Sequence, residues 1–169
     1  NINFLYAFMS MGIYNSFLLS PPNLCDDDDY FLTKVIDIFI FAINQNEDFC
    51  DQLLHDKILL FLELVITDSN YHFEYATHYG VKFLTDLVFY RPEITEELYE
   101  KEIVHCVLDM FDDINNFVDF MPDNLAFLVV SMALTSPMIY SKMKNIGCYT
   151  TIVENIMNVD QLYWNWALR

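Results

Sequence analysis

The sequence predicts an all-α fold, more narrowly an α-solenoid of stacked helical repeats, and three observations carry that prediction. Apolar residues recur mainly at helical steps along the chain. Only three of the 169 residues are glycine and five are proline, which leaves little turn chemistry for a β-sandwich or a β-barrel. The apolar pattern also repeats every 45 residues, and helical repeats of about that length are typical of a solenoid.

Four columns of apolar residues carry the repeat. Each column takes one residue from each of four successive repeats, always 45 positions apart: Phe4/Phe49/Ile94/Ile139, Phe8/Leu53/Leu98/Met143, Ile13/Ile58/Ile103/Cys148 and Phe17/Leu62/Val107/Ile152. Polar columns such as Ser10/His55/Glu100/Asn145 lie between them. We expect the apolar columns to face the core and the polar columns to face water.

Two helix types alternate in the predicted repeats. The ranges are 30–44, 80–90 and 124–135 for the first type, and 3–18, 48–67, 94–112 and 138–157 for the second. Short additional helices are predicted at 70–79 and 116–121. Pro92 and Pro137 begin second-type helices, because proline is tolerated in the first helical turn.

We expect residues 1–169 to form one repeat domain, and we expect this domain to be a fragment of a longer chain. Its predicted parts are the second half of a repeat at 1–22, whole repeats at 23–68, 69–113 and 114–158, and the start of a further repeat at 159–169. Neither helix type can bury its apolar face alone, so neighbouring repeats must stack to form a continuous core.

The charge balance restricts the class of partner. The chain has 25 acidic and 8 basic residues and a net charge of −17. Nucleic acid and anionic membrane surfaces are both unfavourable partners, because each attracts Lys and Arg. The apolar stretch from Phe4 to Leu19 is too short to span a bilayer. The composition therefore predicts a protein partner, with neither nucleic acid nor membrane.

The cysteines indicate a reducing compartment. Cys25, Cys50, Cys106 and Cys148 form no C-x-x-C pair and have no zinc-type spacing. Isolated cysteines with apolar neighbours usually behave as small buried side chains. We predict a cytoplasmic or nuclear location.

No catalytic motif is found in the sequence, and we predict that the chain is not an enzyme. Phosphate-loop, dinucleotide, zinc-protease and nucleophile-elbow motifs do not occur. His72 and His78 have a poor spacing for metal binding and lie in an aromatic segment. The acidic run at 26–29 does not have the glycine turn of a calcium loop, so we interpret it as a cap on the helix that follows. No cofactor, metal or small-molecule substrate is predicted.

The residues at 124–157 resemble an armadillo repeat, within the broad armadillo/HEAT superfamily. Ala133-Leu134 is similar to the alanine-leucine-rich helix of that family and Ser136-Pro137 to its loop. Gly147 matches the glycine near which the second helix breaks. The resemblance implies a right-handed solenoid, and the choice between armadillo and HEAT repeats stays open.

The residue at the position of that glycine differs between the repeats. It is Gly12 in the first repeat, Lys57 and Glu102 in the two middle repeats, and Gly147 in the last. A second glycine, in Tyr79-Gly80, falls outside this register. The boundaries of the middle repeats are therefore less sharply defined by the resemblance.

The resemblance also implies a groove. In armadillo proteins the first-type helices line a concave surface that binds extended peptides or helices. At the matching positions of this sequence, the resemblance implies groove contacts by Ala42/Asn46, Leu87/Arg91, Met132/Ser136 and Trp166. One helical turn before these contacts lie Ile38, Phe83, Leu128 and Leu162. Only Asn46 and Trp166 match the Trp/Asn ladder of the nuclear import receptor importin alpha.

The first-type helices are apolar on more of their circumference than an open groove requires. The segment at 125–134 contains no charged residue, and a helix that is apolar all round is normally buried on all sides. Either the groove is covered by an apolar helix of a partner or by other parts of the chain, or the repeats pack as tightly as HEAT repeats and leave no groove.

Acidic residues form a second candidate surface. Glu63, Asp109 and Glu154 recur at 45 or 46 residues on the second-type helices. They are interpreted first as the solvated side of amphipathic helices. As a binding stripe they would accept Lys and Arg, with an affinity that falls as the salt concentration rises.

These observations together predict a non-catalytic protein–protein interaction scaffold. It would bind an apolar helix or an extended peptide along the groove, and its acidic rims would attract basic flanks of that partner. Two alternatives stay open: a nuclear-transport-receptor-like module that reads basic peptide signals, and a regulatory helical domain of a larger enzyme or cytoskeletal protein.

Overall fold

The computed structural model describes residue 7, residues 29–67, 74–112 and 121–145. Across these ranges the chain is helical and contains no strand, so the predicted all-α class is confirmed there. The helices are α1 Asp29–Gln45, α2 Asp48–His55, α3 Ile58–Thr67, α4 Glu74–Tyr90, α5 Thr95–Glu100, α6 Ile103–Asp112, α7 Met121–Thr135 and α8 Pro137–Asn145, with a 3₁₀ helix at Pro92–Ile94 before α5.

The chain divides into two compact units. Unit 1 covers Asn1–Asp86 and unit 2 covers Leu87–Arg169, so the boundary falls within α4. The predicted single repeat domain and its internal boundaries stay predictions.

Helices α1, α3 and α4 enclose the core of unit 1. The rings of Phe39 on α1 and Phe83 on α4 are stacked with centroids 6.0 Å apart. The Thr77 hydroxyl on α4 donates to the Val65 carbonyl on α3 at 3.2 Å. A Cβ placed on Gly80 would lie 3.4 Å from the Ile66 side chain. Gly80 therefore packs against α3, and it lies inside α4 rather than at its start.

The core of unit 2 is formed around α7, which packs against α6, α8 and the 3₁₀ helix. Its buried apolar residues include Leu98 on α5, Ile103 on α6 and Leu128 on α7. Near the start of α8, Ile139 is also completely buried.

Every member of the four apolar columns whose side-chain burial the structure describes is buried, as the pattern predicts. These members are Phe49, Leu53, Ile58, Leu62, Ile94, Leu98, Ile103, Val107 and Ile139. His55 and Glu100, from a polar column, are exposed. The sequence periodicity therefore separates inside from outside correctly on the second-type helices.

Several predicted helix bounds need correction. The segment at 74–79 is the beginning of α4 rather than a separate helix. The predicted helix at 48–67 is interrupted at Asp56–Lys57, and the one at 94–112 is interrupted at Lys101–Glu102. The predicted helix at 3–18 lies outside the described residues except for Ala7, which is helical.

The two interruptions fall where the resemblance places a helix break. Lys57 has φ 64° and is the one described non-glycine residue with a positive φ. The other break includes Lys101, which has an extended backbone with φ −90° and ψ 157°. The equivalent positions Gly12 and Gly147 lie outside the described residues.

Candidate partner-binding surface

Most of the predicted groove residues are buried. The buried positions are Ala42, Phe83, Leu87, Leu128, Met132 and Ser136. Ile38 is exposed, Asn46 and Arg91 are half-buried, and Trp166 lies outside the described residues. A partner that lies on this surface reaches Ile38 but not the six buried side chains, because a side chain without accessible area makes no new contact until its neighbours move. Partner contact by the whole set stays a prediction.

Backbone hydrogen bonds explain why these positions recur. In each predicted pair, the N–H of the second residue donates to the carbonyl of the first: Asn46 to Ala42 at 3.1 Å, Arg91 to Leu87 at 2.8 Å, and Ser136 to Met132 at 2.9 Å. The second residue of each pair lies at the junction where a first-type helix ends. The 45-residue register thus marks junctions between helices.

The Asn46 side chain has a local role at its junction. Its Oδ1 accepts a hydrogen bond from the Asp48 N–H at 3.1 Å, which satisfies an amide in the first turn of α2. This amide oxygen is engaged with the backbone of its own chain.

The predicted acidic stripe is only partly described. Glu63 on α3 is half-buried, Asp109 on α6 is exposed, and Glu154 lies outside the described residues. The exposure of Asp109 suits a solvated helix face as well as a binding stripe, so both interpretations stay open.

One exposed apolar surface lies on α1 in unit 1. Phe31, Ile38 and Phe41 are 49%, 44% and 51% exposed. Steps of seven and three residues place them along one side of a helix. The opposite side of α1 carries Ile36 and Phe39, both completely buried. We call Phe31, Ile38 and Phe41 the α1 face.

A second set of exposed apolar side chains lies on α7 and at the start of α8, in unit 2. Leu134 is 74% exposed and Met138, in the first turn of α8, is 45% exposed. Phe127 and Val130 are half-buried, and steps of three and four residues bring them onto the same side of α7 as Leu134. We call these four residues the α7 face. Sequence reasoning missed this surface because it used only the side of α7 that turns inward.

A hydroxyl contact joins the start of α5 to the end of α7. The hydroxyls of Thr95 on α5 and Thr135 on α7 are 3.1 Å apart. Glu93 and Glu96 lie within two residues of Thr95 in sequence and are exposed.

A cluster of three side chains joins α8 to the α5–α6 pair. Lys142 Nζ lies 2.7 Å from His105 Nε2 and 4.7 Å from the centroid of the Tyr99 ring. The rings of Tyr99 and His105 are 5.9 Å apart. Because an ammonium group only donates, His105 Nε2 is the acceptor in this arrangement. The cluster positions α8.

Two titratable groups are shifted by their surroundings. Burial raises the pKa of the Asp86 carboxyl on α4, and the Lys82 ammonium and a hydrogen bond from Asn44 offset part of that rise. Burial also raises the pKa of the Cys106 thiol, and the nearby Asp109 and Glu102 carboxylates raise it further. A raised pKa keeps Cys106 in the thiol form, which is the weaker nucleophile.

Metal ligands and membrane spans were sought in the same ranges. No group of three or more His, Cys, Asp or Glu side chains there is arranged to hold a metal ion. No described helix has both the length and the apolar character that a bilayer crossing requires. His78 is buried, and His72 lies outside the described residues.

In comparisons with known proteins, no protein-family model, no curated protein and no solved structure matches this chain.

Proposed function

We propose that this chain is a non-catalytic interaction scaffold, built as an armadillo/HEAT-like helical-repeat solenoid, that binds a segment of a partner protein on its exposed apolar faces. The observation that carries the proposal is the exposure of large apolar side chains on helices whose opposite sides are already packed. Transferring such side chains from water into an interface yields about 25 cal/mol for each Å² of apolar surface buried. The α1 face and the α7 face both offer this gain.

The recurrence of helix bounds supports the repeat architecture. Helix α1 ends at Gln45, α4 at Tyr90 and α7 at Thr135, each 45 residues after the last. Helices α3 and α6 begin at Ile58 and Ile103, again 45 residues apart. A recurring unit of this length, with buried columns in register, is what a stacked helical repeat requires.

Charge shapes the choice of partner. With a net charge of −17, the chain attracts basic segments over a distance and repels acidic ones, and salt screens this attraction. Binding would therefore combine an apolar contact, which persists at high salt, with an electrostatic attraction, which high salt weakens. The free thiols of Cys50 and Cys106 suit a reducing compartment, the cytoplasm or the nucleus.

The alternative of a receptor that reads basic signals has less support. Asn46 is one of two residues that match the import-receptor ladder, and its side-chain oxygen is used to cap α2. Trp166, the other match, lies outside the described residues.

Affinity capture from a cell extract tests the proposal, with the wild type compared to Phe41→Glu at low and high salt. Phe41→Glu places a charge in the α1 face, and Leu60→Glu adds the same charge at a 46% exposed position of a different helix, α3. If the α1 face binds the partner, we expect a small set of proteins that stays bound at high salt, is lost with Phe41→Glu and is kept with Leu60→Glu.

Two results would contradict the scaffold. One is the release of every captured protein at high salt, which would favour the signal-reading alternative. The other is a retained set that is unaffected by a charge placed in either apolar face, tested with Phe41→Glu and Leu134→Glu.

A further inference from the structure

Helix α8 is held against the rest of unit 2 at two points. Near its start, Ile139 is completely buried, and the helix packs against α7. Three residues further along, Lys142 Nζ lies 2.7 Å from His105 Nε2 on α6 and 4.7 Å from the centroid of the Tyr99 ring on α5. The first point is apolar, whereas the second depends on the charge of a histidine ring.

The contact between Lys142 and His105 requires a neutral imidazole. An ammonium group has N–H donors and no acceptor, so His105 Nε2 accepts, and the proton of the neutral ring lies on Nδ1. Protonation places a hydrogen on Nε2, which removes the acceptor and leaves two positive groups 2.7 Å apart. Like charges at that distance repel. The contact therefore exists only while His105 is neutral, and imidazole is the side chain that changes charge between about pH 5 and 8.

Carboxylates near His105 offer the protonated ring another partner. Glu102 lies three residues before it and Asp109 four residues after it, and both are exposed. Residues at these spacings lie on one side of a helix. Burial raises the pKa of the neighbouring Cys106 thiol, and the Asp109 and Glu102 carboxylates raise it further, so both lie close to this part of α6. Protonated His105 can thus exchange the cation on α8 for a carboxylate on its own side of α6.

The elements packed around α6 differ in the charges that they bring to His105. Helices α5 and α7 pack against α6. On α5 the half-buried Tyr99 ring lies 5.9 Å from the His105 ring, and on α7 the segment at 124–135 carries no charged residue. Lys142 is therefore the charge that the structure places in direct contact with the ring. The other charged residues described on α5 and α8 and in the interruption before α6 are Glu96, Glu97, Glu100 and Lys144, which are exposed, and Lys101, which is half-buried.

We infer that the Lys142–His105 contact is a pH-sensitive switch in the fold: it holds the second half of α8 at neutral pH, and protonation of His105 releases that half from α5 and α6. Burial of Ile139 keeps the first half in place, so the change stays within residues 140–145. The end of α8 is thus ordered at neutral pH and loosened in acid. The switch lies within unit 2 and does not depend on what the chain binds.

The test measures hydrogen exchange of the backbone amides by NMR, on the whole chain at about pH 7.5 and about pH 5.5. Protection factors correct for the pH dependence of the exchange chemistry and so report the structural change. We expect protection at residues 140–145 to fall by roughly threefold or more in acid, while α6 and α7 keep theirs within roughly twofold. The ring ¹⁵N shifts of His105 should place its proton on Nδ1 at the higher pH.

Matched variants identify the group that titrates. His105→Gln supplies an acceptor that does not titrate, so we expect wild-type protection of α8 at the higher pH and no fall in acid. His105→Arg carries a fixed positive charge, and Lys142→Gln removes the cation, so each should give low protection of the end of α8 at both pH values. The control His55→Gln changes an exposed histidine at the end of α2 in unit 1 and keeps the fall of the wild type. Circular dichroism checks the helical content of each variant.

Several outcomes overturn the inference: equal protection of α8 at the two pH values in the wild type, a fall that persists in His105→Gln or in Lys142→Gln, a fall that His55→Gln abolishes, or a His105 proton on Nε2 at neutral pH. An equal loss of protection across α6, α7 and α8 would also overturn it, because unit 2 would then open as a whole rather than release one helix end.

Discussion

In units 1 and 2, a predicted second-type helix is interrupted at the same position of the 45-residue repeat. The two interruptions differ in backbone conformation. In unit 1, Lys57 adopts a left-handed backbone with φ 64°, and its N–H donates to the Leu54 carbonyl at 3.1 Å. In unit 2, Lys101 is extended and its N–H donates to Glu97 at 3.2 Å. The position of a break can thus be shared while its conformational cost is not.

The units also differ in what holds their helices together. In unit 1 the Asp29 carboxylate accepts the N–H groups of Tyr75 and Ala76, at 3.2 and 2.7 Å. Asp29 is the first residue of α1, so its side chain caps the start of a different helix, α4. Unit 2 uses the hydroxyl contact between Thr95 and Thr135 and the Lys142 cluster instead. A charged acceptor on exposed helix amides is the stronger type of contact.

Removing the unit 1 cap should therefore have the largest effect. We expect Asp29→Ala to lower the free energy of unfolding by about 1–2 kcal/mol, because two amides in the first turn of α4 lose their acceptor. Urea denaturation measures the loss, and hydrogen exchange should show reduced protection at the start of α4. Asp37→Ala, an exposed residue of the same helix, is the control and should change stability by less than about 0.5 kcal/mol. Equal losses in the free energy of unfolding for the two variants would show that Asp29 acts only through its negative charge and not through its hydrogen bonds to α4.

Glycine substitutions at the two breaks sharpen the comparison directly. Lys57→Gly relieves the left-handed backbone and should raise the free energy of unfolding by about 0.5–1 kcal/mol, since glycine adopts positive φ without steric cost. Glu102→Gly relieves no such conformation and should lower it by about 0.5–1 kcal/mol, because glycine loses more backbone entropy on folding. Thermal denaturation of the pair is the measurement. Changes of the same sign at both positions would mean that the breaks are equivalent after all.

The smallest expected effect concerns the half-buried Asp86 of unit 1. Its folded-state pKa is raised by burial, so its contribution to stability is present at low pH and is lost as pH rises through that pKa. Asp86→Asn removes the ionised form and should stabilise the protein at neutral pH by less than about 1 kcal/mol. The difference from wild type should vanish below about pH 3, where the carboxyl is protonated in both states.

Asp109→Asn, at an exposed position of unit 2, serves as the control for that pH series. Urea denaturation at several pH values compares the two variants. If Asp86→Asn remained more stable than wild type at low pH, the gain in stability could not come from removing the ionised Asp86 carboxylate.

The ends of the first-type helices could be predicted from sequence alone. Predicted ends at 44, 90 and 135 compare with observed ends at Gln45, Tyr90 and Thr135. Local signals suffice there, since Pro92 and Pro137 immediately follow the junctions and favour a new helix start. Burial of the apolar columns was predictable for a similar reason, because helical periodicity is visible in a single sequence.

Tertiary contacts account for what the sequence did not reveal. Glycine is a poor helix former, yet Gly80 lies inside α4, where it packs against Ile66 of α3. The acidic run was interpreted as a cap on its own helix, while Asp29 caps α4, 46 and 47 residues away. The candidate site was placed on the inner side of α7, because the segment at 125–134 has no charged residue by which its inner and outer sides can be told apart.

The junctions at Arg91 and Ser136 have a consequence for how this chain can change in length. Each is one residue long, with its N–H and its carbonyl both hydrogen-bonded to adjoining helices. An inserted residue at Ser136 would rotate α8 by about 100° and carry the buried Ile139 away from the core. The two-residue interruption at Lys101–Glu102 is fixed in the same way, because the Lys101 N–H donates to the Glu97 carbonyl and the Glu102 carbonyl accepts from the Cys106 N–H. The buried Ile103 follows it directly. Insertions, whether arising by mutation or introduced as tags, should therefore be rejected at all three places.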